Sequence, residues 1–345
     1  MSFPSYFSFT ITNRCNLHCS MCGQWSEEGY MRGQQPDRHE EMNLTDWRRL
    51  VDEIAEHQAS AVLLRGGEPF LFKGISDLLE YIHDKGIFIS IDTNGTQLEK
   101  YAADITRMGN IHLTISVDGP EQIHDRVRGV KGCFNSIKRG VQRIHELEKT
   151  KESKISMSIN FTISSYSVEG LGAMPDVARD LGIGTITIVP YYYVPERVGR
   201  QYEKELGDSF GCPAFSWKGF HHEESGVDFA VFKREYEKYK QGLNGIYSFP
   251  YMELSISEYH TWFGDPVTQV GKTSCSNIEK LIDIQPHGEA DFCVDFPDYS
   301  MGNVKEQSIE AVWNSPEAER FREHRRKKPL GVCYRCGAKF MSEIE

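Results

Sequence analysis

Six short runs of period-two alternation, separated by stretches of helical period, leave this chain few folds to adopt. Residues 5–13 (SYFSFTITN) put Phe7, Phe9 and Ile11 on one face and Ser8, Thr10 and Thr12 on the other, the signature of a strand. Similar patterning predicts strands over 61–65, 87–92, 111–117, 155–163 and 185–189, the last stopped by Pro190. Trp47, Leu50, Val51 and Ile54 recur at helical spacing and predict a helix over 45–58. Further helices are expected from Ile75 to Ile82, over 97–107, from Phe134 to Leu147 and over 168–181. Strands alternating with helices imply a parallel sheet with right-handed crossovers. The second face of these strands is hydroxyl-rich, carrying Thr10, Thr12, Ser90, Asp92, Thr114, Ser116, Ser158, Asn160, Thr162 and Thr187. A packed barrel lumen is filled by branched apolar side chains. A polar lumen implies a wet cavity that holds a ligand.

The loop after the first strand is Cys15-Asn16-Leu17-His18-Cys19-Ser20-Met21-Cys22. Its C-x3-C-x2-C spacing places three thiols on one tight turn. A tetrahedral zinc ion or a fully ligated cluster needs a fourth ligand, and none stands nearby. Three ligands on a four-iron cluster leave one iron open. Gly66-Gly67-Glu68-Pro69 ends the second strand and Ser116-Val117-Asp118-Gly119 the fourth. All three motifs fall at the C-terminal ends of strands, where α/β barrels carry their active sites.

The cysteine loop and the Gly-Gly-Glu-Pro segment together resemble the radical S-adenosylmethionine (radical SAM) enzymes. That resemblance implies a partial (β/α)6 TIM-like barrel, open on one side, over roughly residues 5–195. It implies a [4Fe–4S] cluster held by Cys15, Cys19 and Cys22, whose open iron binds the amino and carboxylate groups of SAM. A donor such as flavodoxin or ferredoxin would reduce the cluster. SAM would then be cleaved to a 5′-deoxyadenosyl radical that takes hydrogen from a substrate. Gly66 and Gly67 would let the backbone approach the methionyl ammonium, with Glu68 supplying a negative charge nearby. Ser116 and Asn160, lumen-facing by alternation, fit contacts to SAM. Met21 stands where the family usually has an aromatic residue near the adenine. Arg65 stands where a threonine is frequent. Its guanidinium would suit a carboxylate or phosphate on the substrate, or would pair with Asp92 on the neighbouring strand. Tyr191, Tyr192 and Tyr193 would line the same mouth or pack the loop.

A second set of thiols, Cys275, Cys293, Cys333 and Cys336, could ligate one [4Fe–4S] cluster or one zinc ion. Cys275, Gly288-x4-Cys293, Gly302-Asn303-Val304, Val312-Trp313-Asn314 and Cys333-x2-Cys336 resemble the auxiliary-cluster extension known as the SPASM or twitch domain. The full SPASM pattern has seven cysteines. This chain carries fewer, so one auxiliary [4Fe–4S] cluster is expected. The domain division is 1–195 for the barrel, 196–270 for a bridging segment with a helix near 229–241, and 271–345 for the auxiliary-cluster domain. Arg322–Lys328 (REHRRKK) reads as a solvated helix face, with a phosphate-bearing partner the lesser reading. Cys133 reads as a small buried residue. Cys212 would be structural, an auxiliary ligand, or the hydrogen donor of an epimerase.

The 345 residues, 39% hydrophobic and 26% charged, suit a globular chain with a sizeable core. A net charge of −11 argues against general nucleic-acid binding. No apolar run reaches the ~18 residues of a membrane span, and residues 1–5 lack the charged and apolar regions of a signal peptide. The nine cysteines therefore read in a reducing, cytoplasmic setting, where metal binding is expected over disulfides. The first functional expectation is an oxidoreductase or maturase acting on a small molecule or peptide, with the auxiliary cluster as electron acceptor. The absence of a peptide-recognition module before the first strand favours a small molecule. The alternatives are an epimerase using Cys212 and a non-catalytic, zinc-stabilised binding protein.

Overall fold

The computed structural model describes residues 3–33, 40–149, 155–271 and 274–337. The strands are β1 (Tyr6–Thr12), β2 (Ala61–Gly66), β3 (Phe88–Thr93), β4 (Ile111–Ser116), β5 (Ser156–Ile163), β6 (Thr185–Pro190), β7 (Tyr247–Pro250), β8 (Leu281–Ile284), β9 (Glu289–Asp291) and β10 (Gly302–Asn303). The helices are α1 (Leu44–Glu56), α2 (Ile75–Asp84), α3 (Leu98–Met108), α4 (Glu121–Arg128), α5 (Cys133–Glu148), α6 (Met174–Leu181), α7 (Glu196–Phe210), α8 (Phe229–Gly242), α9 (Ile256–Gly264), α10 (Asn277–Lys280), α11 (Ile309–Trp313) and α12 (Pro316–Lys327).

All ten strands form one sheet in the order β10-β9-β8-β1-β2-β3-β4-β5-β6-β7. From β8 to β7 every pairing is parallel; β9 and β10 add antiparallel at one edge. The six expected strands are present, and the fold is the mixed α/β, TIM-like architecture anticipated. Two further parallel strands flank them. β7 comes from the bridging segment, and β8 from the C-terminal region. Neither was anticipated, because four residues are too short a run for period-two alternation to stand out. The bridge is also more regular than expected, since α7 and α9 lie within it. The polar loop expected over 23–43 lies partly outside the described residues.

Alternation becomes two environments. Phe9, Ile11, Leu64, Ile89, Ile91, Leu113, Ile115, Ile159, Phe161 and Ile186 are fully buried beneath the helices. Trp47, Leu50, Val51 and Ile54 on α1 are buried against that face. Asn43 caps α1, accepting from the Thr45 and Asp46 N–H groups, while the Asp46 carboxylate accepts from the Asn43 N–H. The opposite face lines a cavity of about 1190 Å³ whose wall includes Ser90, Asp92, Thr114, Ser158 and Thr187.

The basic run near the C-terminus departs from expectation. α12 turns Ala318, Phe321, Arg322 and Arg325 inward, so two of its arginines lie on the buried stripe of an amphipathic helix. Only the remainder of the run is solvated.

Truncating Phe161 to Ala should cost ~3–5 kcal/mol, whereas Asn43→Ala should cost ~1 kcal/mol. Urea denaturation midpoints of the two variants, compared with the parent, check this ranking.

Candidate active site and auxiliary metal centre

The cysteine loop is built on the end of β1 and clamped by the end of β2. The Gly67 N–H donates to the Thr12 carbonyl and the Glu68 N–H to the Arg14 carbonyl, both at 2.8 Å. Glycine is required by this approach. A Cβ on Gly66 would meet the Thr12 carbonyl oxygen at 2.2 Å, and one on Gly67 the Arg14 carbonyl oxygen at 2.3 Å. Gly66 also adopts φ +149°, which disfavours a side chain. Both glycines line the cavity.

Glu68 is placed differently from expectation. It is fully buried and does not line the cavity. Its carboxylate accepts from the Phe70 N–H (3.2 Å), the Thr93 hydroxyl (2.8 Å) and the Asn94 N–H (2.7 Å). It therefore ties the ends of β2 and β3 together instead of facing a ligand in the cavity. Burial pushes its carboxyl up to about 7 against those three donors.

Cys15, Cys19 and Cys22 all face the cavity. Burial pushes the Cys15 thiol up to about 11 and the Cys19 thiol up to about 12, and the three sulfur charges act on one another. Such thiols hold their protons until a metal displaces them. Three soft donors on one rim beside open volume fit a cluster with one iron left to a second ligand. The Trp25 N–H donates to Cys22 Sγ at 3.4 Å, and the Asn94 amide nitrogen stands 4.0 Å from Cys15 Sγ.

Sequence reasoning missed Arg128, at the end of a helix it did not predict. Its guanidinium donates to Cys19 Sγ at 3.7 Å and pairs with Asp118 at 2.6 Å. Asp118 also accepts from the Thr162 N–H at 3.1 Å, and the Asp118 N–H donates to His124 Nδ1 at 3.1 Å. Burial and the Arg128 charge hold His124 down to about 3. Nothing in the chain's spacing marks these partners, because they meet only through the β4–α4 crossover.

Ser116 and Asn160 face the cavity side by side, paired across β4 and β5. Asn160 Oδ1 is buried without a hydrogen-bond partner, an acceptor suited to a ligand donor. Met21 also lines the wall, and aromatic surface comes from Trp25, Tyr30 and Tyr191. Of the three consecutive tyrosines, Tyr191 and Tyr192 face the cavity, while Tyr193 is buried and donates to the Phe263 carbonyl.

Arg65 faces the cavity, but its ion pair is with Asp283 of β8 (3.6 Å) and not with Asp92. It also donates to the Val294 carbonyl at 3.1 Å. Asp283, Asp295 and Asp92 all raise its affinity for its proton. The chain's own carboxylates thus stand against this charge. The sequence missed Asp283 because β8 was not foreseen beside β1.

Cys212 lies after α7, in the electrostatic neighbourhood of Asp298 and Arg320. It lines neither the barrel cavity nor the void at the second cysteine set. The epimerase and auxiliary-ligand roles both need it there, so neither is supported. Cys133 is buried as expected, its thiol donating to Asp125 at 3.1 Å.

Cys275, Cys293, Cys333 and Cys336 surround one void of about 30 Å³, walled otherwise mainly by apolar residues such as Ile278, Phe292, Phe296 and Leu330. Four thiols around one void fit a fully cysteine-ligated cluster. The segment joining the two sites is short. Cys293 and Phe296 face the void, while Val294 and Asp295, between them, face the barrel cavity.

Comparison with known proteins decides the family. The profile of the Radical SAM superfamily matches residues 9–160, and that of the SPASM iron-sulfur cluster-binding domain matches residues 275–337. The chain is a radical SAM protein with a SPASM domain. SAM and two [4Fe–4S] clusters are the cofactors of that combination, which displaces the zinc reading. Fe-coproporphyrin III synthase of Methanosarcina barkeri is 28% identical over 186 residues, 54% of this chain and 43% of its own length. The chain thus spans less than half of that relative. The antilisterial bacteriocin subtilosin biosynthesis protein AlbA of Bacillus subtilis is 23% identical over 99% of this chain and 68% of its own. The crystal structure of Streptococcus suis SuiB bound to precursor peptide SuiA superposes with a TM-score of 0.65 at 16% identity, covering 98% of this chain and 71% of that one. No helix among the described residues is long and apolar enough to cross a membrane.

His124 accepts a hydrogen bond as the neutral ring, so its protonation opposes folding. Its folded value, about 3, lies below the ordinary 6.5. Its contribution is complete above about pH 6.5 and is lost as pH falls toward 3. Between pH 6.5 and 5 the loss should reach ~2 kcal/mol. His124→Asn, which keeps an acceptor without the titration, should remove that part of the pH dependence of urea denaturation.

Proposed function

We propose that this chain is an oxidising radical SAM maturase whose substrate is a peptide. The observation that carries this reading is the Cys293–Phe296 segment, which alternates between the barrel cavity and the auxiliary site. Abstracting one hydrogen atom removes one electron and one proton from a substrate carbon. A two-electron oxidation then needs a second proton and a second electron to leave, and here an acceptor site stands one backbone segment from the cavity.

Bound at Cys15, Cys19 and Cys22, a reduced [4Fe–4S] cluster with SAM supplies the 5′-deoxyadenosyl radical that takes that hydrogen. The chain's own residues do the rest. The Gly66-Gly67 clamp fixes the cysteine loop against β2. Arg128 places a positive charge at Cys19. Ser116 and the unpartnered Asn160 Oδ1 offer polar contacts to SAM at the adjoining strand ends.

A peptide substrate is supported by one relative and by a fold neighbour solved with its peptide. AlbA, named for bacteriocin biosynthesis, aligns over nearly the whole chain, and the fold neighbour SuiB was solved with its precursor peptide. The AdoMet-dependent heme synthase of Methanosarcina barkeri aligns as fully, at 23% identity over 96% of this chain and 88% of its own. The small molecule favoured from sequence stands as the second reading on that match.

Anaerobically reconstituted, reduced protein should carry about eight irons and cleave SAM to 5′-deoxyadenosine. Replacing any of Cys15, Cys19 or Cys22 with Ala should abolish that cleavage. Cys293→Ala should retain it while ending two-electron oxidation of a peptide substrate, followed by mass spectrometry as a loss of about two mass units. A Cys293→Ala enzyme that still delivers the oxidised product would remove the auxiliary site from the reaction.

A further inference from the structure

Arg325 lies on the buried face of α12, beside the void that the four cysteines surround. α12 is capped at its start by the Ser315 hydroxyl, which accepts from the Ala318 N–H at 3.0 Å. The cap fixes the helix's rotation, and Ala318, Phe321, Arg322 and Arg325 face inward at i, i+3, i+4 and i+7. A buried stripe is ordinarily apolar, so each arginine on it needs a physical account.

Arg322 has one. Its guanidinium donates to the Ile278 and Trp313 carbonyls at 2.8 and 2.9 Å, lies 4.2 Å from the Trp313 ring centroid and 4.9 Å from that of Phe292, and stands 3.6 Å from Glu319. Arg325 does not. Its one hydrogen bond runs to the Lys328 carbonyl at 2.7 Å, and no carboxylate pairs with it among the described residues. It is 9% exposed. It is also the single charged residue in the wall of the void that the four cysteines surround. The charges acting on it most strongly are those of Cys333, Cys293, Cys275 and Cys336.

A desolvated guanidinium without a carboxylate is costly unless another anion stands beside it. We propose that Arg325 is the built-in counter-cation of the auxiliary cluster, a positioning residue that raises the cluster's reduction potential and so suits it to accept an electron. The inference rests on the reading that an iron–sulfur cluster occupies these cysteines, and it needs no substrate. Four thiolates give an oxidised [4Fe–4S] site a net charge of −2. Taking up one electron adds one more negative charge, and a fixed cation in a low-dielectric wall favours that step.

The test is a redox titration of reconstituted protein followed by electron paramagnetic resonance, with Arg325→Gln and Arg325→Lys beside the parent. Arg325→Gln should disfavour reduction of the auxiliary cluster about tenfold, a shift of ~59 mV to lower potential for one electron. The cluster at Cys15, Cys19 and Cys22 should be unmoved, and Arg325→Lys should restore most of the shift. If Arg325→Gln instead loses the auxiliary cluster, iron should fall from about eight to about four per chain, and Arg325→Lys should recover it. The proposal is overturned by an unchanged auxiliary potential in Arg325→Gln, or by an Arg325→Lys variant as impaired as Arg325→Gln, since packing rather than charge would then be at work. Parent protein with a single iron–sulfur cluster fails the underlying reading instead and overturns the inference with it.

Discussion

Two backbone hydrogen bonds hold the catalytic rim together, from Gly67 to Thr12 and from Glu68 to Arg14. They join the residues just after β2 to the root of the cysteine loop, at a separation that leaves no room for a Cβ on Gly66 or Gly67. A short loop carrying three thiols has little structure of its own. Its geometry is borrowed from the parallel pair beneath it, and the buried Glu68 carboxylate extends that support to β3 through Thr93 and Asn94. The Gly-Gly-Glu-Pro segment thus acts first as a brace for the metal loop. Its openness to a ligand follows from the same missing side chains.

The two cysteine sets share an electrostatic device. Each is approached by one buried guanidinium, Arg128 at the barrel rim and Arg325 at the auxiliary void. They differ in what stands behind the cation. Arg128 is paired with Asp118 at 2.6 Å, so it meets Cys19 as half of an ion pair. Arg325 has no such partner among the described residues. Thiolates at the two sites therefore meet different net fields, although the ligand chemistry is the same. Arg65 belongs to neither. It joins β2 to Asp283 and to the Val294 carbonyl, which fastens the barrel to the auxiliary region.

What the sequence made legible was periodic or tightly spaced. Six strands stood out because apolar and hydroxyl residues alternate along them, and the cysteine loop because its ligands lie within eight residues. The missed features depend on contacts between distant segments. β7 and β8 are four residues each, too short for alternation to separate from chance, and without β8 the partner of Arg65 could not be named. Glu68 was expected to face a ligand because its motif does. Which way a side chain leaves a turn is decided by the donors waiting there, and those come from β3. The basic run at 322–328 looked solvated because charge was weighed without phase, yet helical period alone places Arg322 and Arg325 on the stripe that Ala318 begins.

The pairing of β8 with β1 has a further consequence. β1 carries the loop of Cys15, Cys19 and Cys22, and β8 leads through the β8–β9 turn into Cys293. The register Tyr6 to Leu281 through Phe9 to Ile284 therefore places the roots of both cysteine segments on one ladder of peptide groups. On the function proposed above, that shared ladder would set the distance an electron travels between the two centres.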